Sequence, residues 1–164
     1  MTESRDIRLE LYKLLIRTFH IMRRVRQHEL NKYGITTRSS AVIDTALRLG
    51  EEATLSKVGQ QLVLEEHSVS EQLSRMEKTG LIRKVRDPQI KNQIRIEVTE
   101  KGRELYEKSQ DRKTVDYIMS VLTEEEQRNL WSTIAKIREQ AVKALGKDNN
   151  NLYPPSDPSE LPPD

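Results

Sequence analysis

The feature that most constrains this chain is a change of hydrophobic period near residue 80. Upstream, Leu55, Val58 and Leu62, then Val69, Leu73 and Met76, recur at three- and four-residue steps, as one apolar face of a helix requires. Thr54 is a good N-cap for the first of these helices, and the second, residues 66–79, stops at Gly80. Residues 63–65 leave room only for a tight turn between them. Residues 81–85 and 94–98 then read with period two, joined by the turn-rich Asp87-Pro88-Gln89. Two short helices followed by a hairpin predict a mainly α protein with a small β-hairpin wing, a winged helix-turn-helix.

Long helices flank this unit. Over residues 6–30, Ile7, Leu11, Leu14, Leu15, Thr18, Ile21, Met22 and Val25 form an apolar stripe. Thr36 or Thr37 caps a helix that carries Ala41, Val42, Ile43, Ala46 and Leu47 to Gly50. Past the hairpin, Thr99 caps a helix running through Gly102, Leu105, Tyr106, Val115 and Ile118. Thr123 and Glu126 form a capping box before a last helix bearing Leu130, Ile134, Ile137, Ala141 and Leu145. The predicted organisation is an N-terminal helix (6–32), a winged helix-turn-helix (36–98), C-terminal helices (99–146) and a tail (147–164). Five of the six prolines fall in that tail beside the polar run 148–151, so disorder is expected there.

Of 164 residues, 35% are hydrophobic and 33% charged, a thin apolar content for a compact monomer. Subunit association supplies the missing core if the terminal helices pair across a two-fold axis, with Ile7, Leu11, Leu14, Trp131, Ile134, Ile137 and Leu145 in the interface. The competing arrangement packs those helices on each other within one subunit. Cysteine is absent, which removes disulfides, thiolate metal sites and thiol redox sensing. No apolar run approaches the ~18 residues of a membrane span and the start lacks a secretory signal, so a cytoplasmic address and no membrane partner are expected. The glycines are isolated, with no phosphate-cradling loop and no nucleophile elbow, so neither an enzyme nor a cofactor is expected. His20, His28 and His67 lack metal-ligand spacing, and no metal is expected either.

The formal net charge is only +2, but residues 81–95 hold Arg83, Lys84, Arg86, Lys91 and Arg95 against Asp87, a net of +4. Charge concentrated on a projecting hairpin suits phosphate contact, since neutralised phosphates release counterions. The plainer reading is a sheet edge protected by Lys and Arg; its place directly after a helix-turn-helix favours DNA. The second helix of the motif then offers Glu66, His67, Ser68, Ser70, Glu71, Gln72, Ser74 and Arg75 to the major groove. Glu65 and Glu66 suit the helix dipole but repel phosphates, which leaves open a protein-interaction adaptor that has lost DNA recognition.

Specific motifs add to this. Residues 55–62 (Leu-Ser-Lys-Val-Gly-Gln-Gln-Leu), Ser68-Val69-Ser70, residues 76–82 (Met-Glu-Lys-Thr-Gly-Leu-Ile) and Val98-Thr99-Glu100-Lys101-Gly102 together resemble the multiple-antibiotic-resistance regulator (MarR) family. The last run is similar to that family's Leu-Thr-x-x-Gly signature, with Val for Leu. The resemblance spans about residues 7–145. It implies a homodimer whose two winged helices read a palindrome in double-stranded DNA, and a repressor released by a small phenolic or anionic effector bound between the dimer and DNA-binding regions. Phe19 and His20 fall where it puts a wall of that pocket; one turn on, the basic cluster Arg23, Arg24 and Arg26 reads as a solvated face, a DNA-backbone contact or a partner for an anionic effector, with Arg23 the candidate pocket residue. The wing departs from the family. An acid and an Arg two residues on are replaced by Ile90 and Asn92 around Lys91, and Lys84 stands where Arg is common. A more mobile tip is the expected consequence.

Overall fold

A computed structural model of the chain describes residues 6–148 and 152–161. Its elements are α1 (Ile7–Leu30), α2 (Thr37–Leu49), α3 (Leu55–Gln61), α4 (Glu66–Lys78), β1 (Ile82–Arg86), β2 (Ile94–Val98), α5 (Glu100–Lys108), α6 (Lys113–Met119) and α7 (Glu124–Ala144). Threonines start most of the helices, as their capping chemistry demands. Thr36, Thr54, Thr99 and Thr123 each accept a backbone N–H in the first turn, and Glu126 closes the capping box at Thr123.

One core holds the central unit together. Val42, Ile43 and Ala46 of α2 meet Val58 of α3, Val69, Leu73 and Met76 of α4, and Ile82 and Ile96 of the hairpin, all buried. Gly59 lets α3 and α4 close: a Cβ there would lie 3.0 Å from Val69 Cγ2. The turn after α3 puts Val63 at φ +52°, an uncommon conformation for a β-branched residue. β1 and β2 pair antiparallel with Ile82 opposite Val98 and Arg86 opposite Ile94. Ala53 extends this sheet by accepting the Ile96 N–H at 2.7 Å.

The wing exit explains the Thr-x-x-Gly run physically. The Thr99 hydroxyl donates to the Gly80 carbonyl at 2.6 Å and accepts from the Gly102 N–H at 3.0 Å. A Cβ on Gly102 would sit 2.1 Å from the Leu81 carbonyl oxygen, so only glycine lets α5 start this close to β1.

Two expectations need correction. The helix expected to continue from Thr99 through Ile118 breaks at residues 109–112. The Ser109 hydroxyl donates to the Tyr106 carbonyl, and the Ser109 and Asp111 carbonyls accept from the Arg26 guanidinium at 2.8 and 3.2 Å. The tail is the second. Within it, residues 152–161 follow a definite path along α7, Leu152 is buried, and Pro158–Glu160 make a turn of 3-10 helix. Trp131 and Arg138 supply the docking bonds that composition does not reveal.

Outside this body, α1 and α7 leave apolar faces open. Ile7, Leu11, Leu14, Ile134, Ile137 and Leu145 are all exposed, and α7 does not pack along α1 within the subunit. Trp131 differs: it is half-buried, and its indole N–H donates to the Ser156 carbonyl at 3.0 Å, on a face of α7 covered by the chain's own tail. It is therefore a docking point for the tail.

Candidate nucleic-acid interface

The N-terminal half of α4 presents Glu66, His67 and Glu71 to solvent, with Ser68 and Ser70 half-exposed beside them. Glu65 stands at the N-cap without a side-chain hydrogen bond to the helix, so the first N–H groups of α4 keep their capacity for an anion. Lys147 pairs with the Glu65 carboxylate at 3.3 Å, which offsets part of the repulsion that this acid would exert on a phosphate. Arg75 is exposed and pairs with Glu71 one turn back at 3.5 Å. That contact is weak and solvated, and a base edge or phosphate competes with it at little cost.

Two helix positions assigned by sequence belong elsewhere. Gln72 is buried and donates to the Ser39 hydroxyl at 3.2 Å, tying α4 to α2. Ser74 accepts from the Lys84 ammonium at 2.7 Å. Lys84 itself, assigned to the wing's DNA face, lies against α4: its backbone N–H donates to Glu77 at 3.1 Å and its ammonium sits 3.8 Å from the same carboxylate. Lys84 thus fixes the base of the wing on α4.

On the hairpin, Arg83, Arg86 and Lys91 are exposed and have no ion-pair partner among the described residues, while Arg95 is half-buried near Asp87. Arg83 stands opposite Glu97 on the pleat. The expectation of a loose tip misses an internal brace. Asp87 accepts the backbone N–H groups of Gln89 and Ile90 at 2.8 and 2.9 Å, and its own N–H donates to the Gln93 carbonyl at 2.9 Å. Those two backbone donors hold the Asp87 carboxyl below the usual carboxylate range, against the opposing effect of desolvation. Asn92 takes a left-handed conformation, φ +68°, which its short polar side chain tolerates. Lys91 is presented at the apex of this braced turn, with exposed Ile90 beside it.

The residues assigned to an effector pocket lie on one open face of α1. His20 and Arg23 border a shallow groove with Arg24, Val25, Gln27 and His28, and the Phe19 ring stands 5.7 Å from that of His20. Arg26, the remaining member of the basic cluster, points the other way and joins the corner between α5 and α6. It pairs there with Glu29, which also accepts the Thr114 N–H. Burial alone would raise the Glu29 pKa, but the bonds from Arg26 and Thr114 together hold it below the usual range. Sequence periodicity missed this lock, since Arg26 and Glu29 look like ordinary polar positions of a long helix. Among the described residues no group of three or more His, Asp or Glu is placed to hold a metal, and no helix is long and apolar enough to cross a membrane.

Residues 36–102 match the winged helix DNA-binding domain family. No curated protein sequence matches the chain. Among solved structures, the organohalide-sensing transcriptional regulator RdhR-CbdbA1625, in its 2,4-dichlorophenol-bound form, is 28% identical; the likeness covers 93% of this chain and 91% of that one, with a TM-score of 0.84. A mutant MarR from E. coli complexed with operator DNA is 16% identical over 83% of this chain and 99% of that one, TM-score 0.75. MepR from S. aureus, in a DNA complex, is 22% identical over 79% and 97%, TM-score 0.71. These last two share the fold. Residues 36–102 are thus a winged helix DNA-binding domain, set in a chain with the fold of the MarR and MepR structures, the family that the motifs of its sequence resemble.

Proposed function

We propose that the protein is a homodimeric repressor that reads a palindromic operator in cytoplasmic DNA. The observation that carries this is the pair of uncovered apolar faces on α1 and α7, outside a complete winged-helix core. A two-fold axis through those faces presents two copies of α4 and two wings to one side of a duplex. Glu66, His67, Ser68, Ser70, Glu71 and Arg75 are the proposed groove-facing residues. Arg83, Arg86, Lys91, Asn92 and Arg95 are the proposed wing contacts. Ile7, Leu11, Leu14, Ile134, Ile137 and Leu145 belong to the proposed interface.

Introducing charge on the open face of α7, with Ile134→Glu and Ile137→Glu together, is the direct test. The variant should sediment as a monomer, keep its helical circular dichroism and lose tight duplex binding. An unchanged sedimentation coefficient would remove α7 from the interface.

The effector arm of this reading is a small phenolic or anionic molecule near Phe19, His20 and Arg23, in the groove of α1 that a partner subunit would roof. The related regulator bound to 2,4-dichlorophenol supports the ligand class, and Arg23 and Arg24 support a negative charge. Release of a bound duplex by 2,4-dichlorophenol, abolished by Arg23→Ala, is the expected result.

A further inference from the structure

The tail after α7 does more than fill space. On one side it is fastened to α7: the Arg138 guanidinium donates to the Pro154 carbonyl at 2.6 Å and to the Ser156 hydroxyl at 3.1 Å, and Trp131 donates to the Ser156 carbonyl. Trp131, Arg138 and Val142 are spaced seven and four residues apart, so the tail runs back along a single stripe of α7. Ile134, Ile137 and Leu145, which border that stripe, stay exposed beside the tail.

On its other side the tail is fastened to the winged helix. The Arg48 guanidinium, near the C-terminus of α2, lies 3.7 Å from the centre of the Tyr153 ring. Arg48 is itself held by Asp44 at 3.0 Å, and Asp44 accepts the Tyr106 hydroxyl at 2.7 Å, so the ring docks on a fixed cation. Leu152 and Val142, both buried, face Leu55 and Val69 across the helix-turn-helix, and Lys147 reaches Glu65 at the start of α4. Apart from these contacts α7 packs little on the winged helix.

We propose that residues 152–161 form a strap that fixes the winged helix relative to α7, and so sets the spacing at which two recognition helices meet DNA. The inference rests on the dimeric reading above, because only then does the position of α7 fix a distance between half-sites. Rigid coupling of this kind favours one spacing. A loosened strap lets each winged helix adjust, so the protein tolerates several.

The test compares the full-length protein with Tyr153→Ala, which removes the ring from Arg48, and with Tyr153→Phe, which keeps it. Binding is measured to a palindrome selected from random duplexes, to the same palindrome with one base pair added or removed between half-sites, and to a single half-site. The wild-type protein and Tyr153→Phe should lose about tenfold in affinity on the altered spacings. Tyr153→Ala should lose only about two- to threefold, the difference being what one partly desolvated cation–π contact supplies, with half-site affinity unchanged. An equal spacing penalty in all three proteins, with only the melting temperature of Tyr153→Ala lowered, would overturn the proposal by reducing the tail to a stabiliser. Equal loss of half-site binding in Tyr153→Ala would overturn it too, by assigning the tail to the winged helix alone. A wild-type protein that binds half-site and palindrome equally would instead refute the dimeric reading, and the strap's role with it.

Discussion

Arg26→Ala should be the most damaging single change among the basic residues of α1. Its guanidinium serves Glu29 and the carbonyls of Ser109 and Asp111, which join α1 to the corner between α5 and α6. Removing it strands a carboxylate whose side chain is only 8% exposed, while the Thr114 N–H remains as its partner. Breaking a buried pair from one side costs about 3–5 kcal/mol. The Arg26 side chain is itself 19% exposed, so water enters the vacated space and the loss falls near the lower end, at about 3 kcal/mol. With a urea dependence of about 2 kcal/mol per molar, the unfolding midpoint should fall by about 1.5 M. Urea unfolding at one fixed protein concentration reads this directly, since self-association enters the equilibrium. Arg23→Ala and Arg24→Ala, on the exposed side of the same cluster, should stay within about 0.5 kcal/mol of wild type. The pH dependence follows from the lowered Glu29 pKa. A carboxyl depressed in the folded state contributes stability above its unfolded pKa and loses it as pH falls through the folded value. The gap between wild type and Glu29→Gln should therefore be widest near neutrality and close below the ordinary carboxylate range. A midpoint shift for Arg26→Ala no larger than for Arg23→Ala would refute the lock.

Further expectations concern the wing and the recognition helix. Gly102→Ala forces a Cβ against the Leu81 carbonyl and should cost about 1–3 kcal/mol in thermal or urea unfolding; a neutral effect would mean that the wing exit can relax. Arg86→Ala with Lys91→Ala should lower the slope of log affinity against log salt by about one for each phosphate left without its cation, and an unchanged slope would remove the wing from the interface. Glu71→Gln frees Arg75 and removes an acid from the side of α4 proposed to face the groove, so duplex affinity should rise by up to about fivefold. A fall instead would show that Glu71 accepts from a base amino group.

What the sequence revealed and what it hid divide along a physical line. The caps at Thr54, Thr99 and Thr123, the turn after α3 and the two strand segments of the hairpin depend on neighbours a few residues away, and local chemistry specifies them, while it leaves Thr36 and Thr37 as equal candidates for the cap that Thr36 takes. The break after Lys108 was hidden because its cause is Arg26, more than eighty residues upstream. Gln72 reads as a surface residue until Ser39 is placed beside it. Lys84 reads as one of five equivalent cations, and only the packing of β1 on α4 separates it from Arg83 and Arg86. For the tail, proline and polar content argue for disorder, and nothing local announces that Trp131, Arg138 and Arg48 line its path.

The central claim is that this winged helix reads duplex sequence as a two-fold pair. Selection of bound duplexes from a random library at near-physiological salt, read by sequencing, tests it most directly. The account predicts an enriched palindrome with half-sites about one helical turn apart, bound less tightly as salt rises. Weak, salt-sensitive binding with no enriched sequence would contradict it.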